Sequence, residues 1–276
     1  MNKLLSAMIV LGLALSSCGG SDDNTNNPND TQVTQDSTGG EDLEWGENYV
    51  SLLPDLTGAV YRVTMLKGID PTDLINPAWR ADIETYALVI LLRVVEHDTT
   101  TGEATIEITS ANAETETDGE GNITPISYTF ALEPSTFNTK INGLRFRIDD
   151  PIALNIVTNT VSKPFHIFGV TGFGDFNSDG SKILEARLEG NISEEETKDL
   201  CLTIPGVGEP NFHWFMNLAA ICPDFDTDGD DQFDAYFFKG YLGATREDGL
   251  FQEGIDPIEA LVDACETNEE QCVPKD

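Results

Sequence analysis

Asp224, Asp226, Asp228 and Asp230 stand on alternate residues, with Gly229 between the last two and Gln232 and Asp234 following. Hard cations such as Ca²⁺ take roughly six to eight oxygen ligands at about 2.3–2.6 Å. Carboxylates on alternate residues of a tight loop converge to supply them, and without a cation the same carboxylates repel. Two frames fit the spacing. One starts at Asp224 and places Gly229 at the sharp turn, but Ala235 stands where a closing bidentate Glu is needed. The other starts at Asp226 and uses Asp226, Asp228, Asp230, the Gln232 carbonyl and Asp234. Both frames share Asp226 and Asp228.

The first frame resembles the EF-hand loop. The second is similar to the short Asp-x-Asp-Gly-Asp calcium loops of secreted bacterial repeats and thrombospondin-type modules. Those loops often carry Gly where Asp231 stands, and Asp is among the residues that tolerate the left-handed conformation. The resemblance implies a calcium-stabilised loop. An echo lies upstream, in Gly174-Asp175-Phe176-Asn177-Ser178-Asp179-Gly180-Ser181-Lys182. As a weaker second ion site it would use Asn177, Asp179, Ser181 and Glu185. The competing reading is a hairpin turn, since Asn-Ser-Asp-Gly is good turn chemistry and an alternating strand follows. Lys182 in the loop also opposes a cation, and the hairpin is the favoured reading.

Signatures of catalysis do not stand out. His97, His166 and His213 are scattered, and no HExxH, GxSxG or P-loop occurs. Gly206-Val207-Gly208 lacks the third glycine of a dinucleotide fingerprint. Among 49 acids, any carboxylate pair is uninformative about glycoside hydrolysis. Phe212-His213-Trp214-Phe215-Met216 offers an aromatic platform for sugar, or more simply a core segment.

The N-terminus carries an address. Lys3 precedes an apolar run from Leu4 to Leu15, too short to span a bilayer as a permanent helix. The run ends in Leu15-Ser16-Ser17-Cys18, which resembles the lipobox of bacterial lipoproteins. That resemblance implies a signal peptide over 1–17, a diacylglycerol on Cys18 and an acylated new N-terminus (palmitate among its chains). It also implies attachment to the membrane through lipid. Gly19, in place of the Asp that retains some lipoproteins, points to the outer rather than the inner membrane. Residues 18–44 are polar and acidic and read as a disordered tether. Four further cysteines, Cys201, Cys222, Cys265 and Cys272, suggest two disulfides in an exported chain. The sequence neighbours, Cys201–Cys222 and Cys265–Cys272, are the expected pairs.

The elements that must position these residues are mostly strands. Period-2 alternation dominates from Thr57 to Ile192, as in Leu144-Arg145-Phe146-Arg147-Ile148 and in Leu184, Ala186, Leu188 and Ile192 between polar neighbours. The apolar run Tyr86–Val95, followed by Asp98-Thr99-Thr100-Thr101-Gly102, reads as a strand entering a hairpin. Ser193 with Glu196 resembles a capping box, and a second helix is expected from Asp256, with Pro257 at its first turn, to Cys265. The expectation is one all-β, mainly antiparallel domain over 45–265, a sandwich or barrel. One or two short helices come toward its C-terminus, with an acidic tail over 266–276.

With 276 residues and a net charge of −34, the chain has enough length for a stable core and a field that repels phosphates. Nucleic acid is therefore excluded as a partner. The reading is a lipid-anchored envelope protein, a non-catalytic structural or binding module whose protein or ligand partner is open. Alternatives are a lipid or ligand carrier with a barrel cavity, since Leu56–Tyr61 resembles a lipocalin first strand, or an envelope hydrolase without a local motif.

Overall fold

Successive side chains on a strand point to opposite faces, and burial along this chain follows that period. The strands are β1 (Val60–Asp70), β2 (Val89–His97), β3 (Glu103–Thr117), β4 (Ile123–Phe130) and β5 (Ser135–Lys140), then β6 (Arg145–Ile156), β7 (Phe165–Phe176), β8 (Lys182–Ser193), β9 (Ala235–Arg246) and β10 (Phe251–Ile255). Helix α1 (Asn76–Glu84) follows β1, while α2 (Glu194–Asp199) and α3 (Phe212–Leu218) precede β9. The computed structural model describes residues 50–71, 76–158, 163–201, 211–218, 221–230 and 232–257. The lipobox with Cys18, the tether, Asp231, Cys265, Cys272, the acidic tail and all but the start of the helix expected at Asp256 lie outside them. No helix among the described residues is long and apolar enough to cross a membrane.

The strands form one open, ten-stranded, mostly antiparallel sheet in the order β10-β4-β3-β2-β1-β9-β8-β7-β6, with β5 also paired to β3. Only β10, set against β4, runs parallel among the described ladders. The all-β, mainly antiparallel expectation holds, and the form is an open sheet that curls. Its end strand β6 packs beside β5 across the turn at Ile141–Leu144. No strand ladder joins β5 to β6 among the described residues; hydroxyls stitch this seam instead. Thr139 Oγ1 accepts from the Arg147 N–H at 3.2 Å, and the Ser135 hydroxyl donates to the Ala153 carbonyl. Ser110 of β3 donates to the Asn155 carbonyl at 3.1 Å and accepts from the Val157 N–H at 2.9 Å.

The main core lies on one face and is filled with large side chains. Tyr61, Phe176 and Phe146 are fully buried, with ring centroids 5.6 and 5.4 Å apart in succession. A smaller cluster of Val60, Val89, Leu91, Ala111, Tyr128 and Phe130 is covered by Leu250 and Phe251. The two clusters explain the unbroken apolar run in β2: Ile90 and Leu92 serve the main core, Val89 and Leu91 the smaller one. One strand differs from its expected phase. Leu184 is 59% exposed because the β8–β9 register shifts between Ile183 and Ala186, which turns Ile183 inward in its place.

The described residues hold three α-helices, and one of them lies far from the C-terminus. α1 packs on β1 through Trp79 and Ile83, and Asn76 both accepts from the Gly68 N–H (2.7 Å) and donates to its carbonyl (2.9 Å). α2 starts as expected, with Ser193 Oγ accepting from the Glu196 N–H at 3.5 Å. Glu196 turns to His166, at 2.6 Å from its Nδ1, so a second bond stands where a reciprocal capping box was expected. In α3 the aromatic run is a core segment: Phe212 and Met216 are buried, and His213 Nδ1 lies 3.0 Å from the Tyr236 hydroxyl.

Candidate metal centre

The acidic loop hangs from the start of β9. Phe225 and Ala235 form an antiparallel bridge, exchanging N–H···O bonds of 3.0 Å, and so pinch the loop at its neck. Aspartate side chains readily bond backbone N–H groups two residues on, and here that habit shapes the loop. Asp226 Oδ1 accepts from Gly229 N (2.7 Å) and Asp228 N (3.2 Å); Asp228 Oδ1 accepts from Asp230 N (3.2 Å); Asp230 Oδ1 accepts from Gln232 N (2.9 Å). Gly229 takes φ = +79°, the left-handed turn that lets the chain double back. The result brings one oxygen each of Asp226, Asp228 and Asp230 within 4.8 Å of one another. Asp228 and Asp230 are exposed and Asp226 half-buried.

The flanking acids are placed differently. Asp224 Oδ1 accepts from the Phe237 N–H at 2.8 Å, which ties the loop's entry to β9 and leaves this carboxylate outside the trio. Asp234 accepts from Thr227 through both oxygens, from N–H at 2.9 Å and from Oγ1 at 2.5 Å. Gln232 donates its side-chain amide to Asp230 Oδ2 at 3.1 Å. The converged donors are all carboxylate oxygens, which suit a hard cation and not a thiophilic one. The exposed cluster of Asp226, Asp228 and Asp230 could therefore bind a metal ion.

The upstream echo is a hairpin turn between β7 and β8. Asn177 Oδ1 accepts from Lys182 N (2.8 Å), its amide donates to Ser181 Oγ (2.9 Å), and Asp179 accepts from Ser181 N (2.9 Å). These bonds hold the Asp179 carboxyl below the usual carboxylate range, with the Ser181 hydroxyl the largest cause. Glu185 lies along the strand opposite Asp175, away from the turn. The Gly180 carbonyl accepts from the buried Tyr61 hydroxyl at 2.7 Å, which fastens the turn to the core.

The chain matches no protein-family model, no curated protein and no solved structure. Its own geometry must therefore carry the reading. The three histidines, scattered in sequence, also sit apart in role. His166 pairs with Glu196, and its ring lies tilted beside Phe168 with centroids 5.5 Å apart. His213 is buried against Tyr236, with Glu194 at 3.9 Å; burial pushes its pKa below 6.5, opposed by Glu194. His97 is 7% exposed and accepts a bond on Nδ1 from Leu56 N at 3.2 Å. Nothing in the local sequence of His97 signals its position, which depends on the 51–57 segment folding over the end of β2. Cys201 is buried and bridges to Asn211, while Cys222 is half-buried just before the acidic loop.

Proposed function

We propose that this chain is a lipid-anchored envelope protein, held by Cys18 at the outer membrane, whose β-sheet domain is a non-catalytic structural or binding module with a Ca²⁺-stabilised loop. The observation that carries the calcium part is the convergence of Asp226, Asp228 and Asp230 on a loop already pinched at its neck. The commitment of Asp224 to Phe237 supports the frame that starts at Asp226. Exposed carboxylates with few fixed ligands point to weak binding, with a Kd of roughly 10⁻⁴–10⁻³ M as in extracellular modules. Two disulfides among Cys201, Cys222, Cys265 and Cys272 belong to the same reading, since an even number of cysteines remains for an exported chain once Cys18 is lipidated. The aromatic filling of the main core by Tyr61, Phe146 and Phe176 favours a module over a carrier with a barrel cavity.

A ligand that binds only the folded loop raises the melting temperature by mass action. Ca²⁺ should raise it between chelator and about 10 mM, roughly tenfold above the weak end of that range, and Asp228→Ala should abolish the shift. A wild-type melting curve indifferent to calcium would remove the site. Cys18→Ala should release the protein from membranes; labelled palmitate that never enters the wild type would overturn the anchor. Peptide mapping under non-reducing conditions should find no free thiol, and four free thiols would end the disulfide reading.

A further inference from the structure

Across the sheet from β6 to β1, Arg147, Phe173, Arg187, Tyr241 and Lys67 face one another in register, one to a strand. Their neighbours along the strands, among them Phe146, Leu188, Leu242 and Leu66, belong to the main core, so this row points the other way. Cations and rings alternate along it. The Arg187 guanidinium lies 5.2 Å from the Tyr241 ring centroid and 5.8 Å from that of Phe173, and the Arg145 guanidinium lies 4.7 Å from Phe173. Beside the row, Met65 and Leu184 are 41% and 59% exposed. Gly243 stands between them, opposite Met65 and the β8 bulge, and a Cβ there would meet Met65 Cε at 3.5 Å. Aromatic rings, Met and Arg are the side chains enriched at protein–protein interfaces.

In a chain of net charge −34, most cations of this face have found an acid. Asp175 holds Arg145 through bonds of 2.7 and 2.8 Å, Asp149 holds Arg147 at 3.0 Å, and Glu189 holds Lys239 at 3.2 Å. Lys67, at the end of the row, is exposed to water. Arg187 is half-buried and has no ion pair among the described residues. Glu185, two residues before it on the same face, is exposed and has none either. It stands opposite Asp175, a like charge that Arg145 already neutralises. β8 thus presents one acid and one base, about 7 Å apart along the strand, each without a counter-charge.

An acid and a base in this order are complementary to themselves. When two copies meet face to face with their β8 strands antiparallel, a twofold axis near Ala186 sets Glu185 of each opposite Arg187 of the other, so one contact satisfies both pairs. Leu184 and Met65 then cover the pairs and exclude water. We infer that this chain dimerises through the outer face of β7, β8, β9 and β1, its occupant being a second copy. The row spans four strand spacings of about 4.8 Å, or roughly 19 Å. That places the contact at the low end of interface sizes, where association is weak and reversible. Two chains of −34 also repel, so the dimer needs screening salt. The inference rests on the reading of this chain as a structural or binding module and supplies its partner. It depends neither on the calcium loop nor on the lipid anchor.

The test is sedimentation of the full chain in neutral detergent with chelator and about 0.15 M sodium chloride. The chain is taken over about 1–100 µM, the span in which a weak contact half-dissociates. Wild type should pass reversibly from monomer to dimer. Glu185→Arg removes negative charge from each copy, so net charge alone predicts tighter association. The crossed pairs predict the opposite, a loss of about tenfold or more, because Arg then faces Arg. Arg187→Glu should fail in the same way, with Glu facing Glu. Mixed together, the two variants should associate with each other although neither associates with itself. Because Arg187→Glu also gives up the stacking on Tyr241 and Phe173, Leu184→Ser provides a second arm. Leu184 is exposed, so this change should leave the melting temperature alone and weaken the dimer about tenfold. The inference falls if wild type stays a monomer, or if Glu185→Arg leaves association unchanged or tightens it. Association that appears only with phosphatidylglycerol vesicles would overturn it in favour of a lipid surface. A dimer that needs calcium and is lost in Asp228→Ala would move the contact to the acidic loop and overturn it too. A melting curve indifferent to calcium, with the dimer intact in chelator, would leave it standing, so the two readings can fail separately.

Discussion

Asp224 and Asp226 are two residues apart and chemically identical, yet they do different things. One ties the loop to β9 through Phe237, the other turns inward to meet Asp228 and Asp230. The alternate acids of the sequence mark a loop that could bind a metal ion. They do not show the frame, because that depends on which N–H of β9 lies opposite Asp224. Asp224→Ala should therefore lower stability in chelator by about 1 kcal/mol, the scale of one hydrogen bond, yet keep the calcium shift. Urea unfolding with and without Ca²⁺ reads both quantities. His213 gives a second prediction at this scale. Its folded pKa lies below the unfolded 6.5, so the unfolded chain binds the extra proton first. The stability from burying it neutral is complete above about pH 6.5 and falls as pH drops from there toward the folded value. Glu194 and Lys198 face it with opposite effects, and Tyr236 is its hydrogen-bond partner. His213→Gln should flatten the fall in urea midpoint between about pH 7.5 and 5.5; an unchanged slope would mean that another group sets it.

Elements were legible where one periodicity decided them. The strands β3, β6 and β8 announce themselves through alternation, and α2 through Ser193 and the three acids that follow it. β8 was read one step out of phase near Leu184, because a bulge is an event of pairing and leaves no mark on a single strand. α1 was missed although Asn76-Pro77 is a usable start signal; only Trp79 and Ile83 are buried, too few to make a visible stripe. The parallel β10 was also invisible, since its partner β4 lies more than a hundred residues back. Two substitutions probe the elements. Ser193→Ala removes the cap bond and should cost about 1 kcal/mol, measurable as a lower melting temperature. Gly102→Ala should cost more. Gly102 sits at φ = +76°, and an added Cβ would stand 2.4 Å from the Ile141 carbonyl oxygen, whose own N–H donates back to Gly102. By contrast, Gly229→Ala meets open space and should cost about 1 kcal/mol from its positive φ alone.

For the whole molecule, 49 acids against 15 Lys and Arg mean that compaction works against self-repulsion. Screening relieves it, so sodium chloride should raise the melting temperature broadly. Calcium at matched ionic strength should add a further shift that Asp228→Ala removes and salt does not mimic. A calcium effect equal to that of sodium would reduce the loop to one more source of negative charge. The sheet order has a different consequence. β1 lies between β2 and β9, and its Arg62 is paired with Glu247, 185 residues further on. Among the described strands, the first to be synthesised therefore gains its second neighbour only once β9 has been made. Such distant partners make folding slow, since a long loop must close before the contacts repay it. On the proposed export, this delay would be an advantage. The sheet around β1 would stay incomplete until β9, the strand that completes it, had been made.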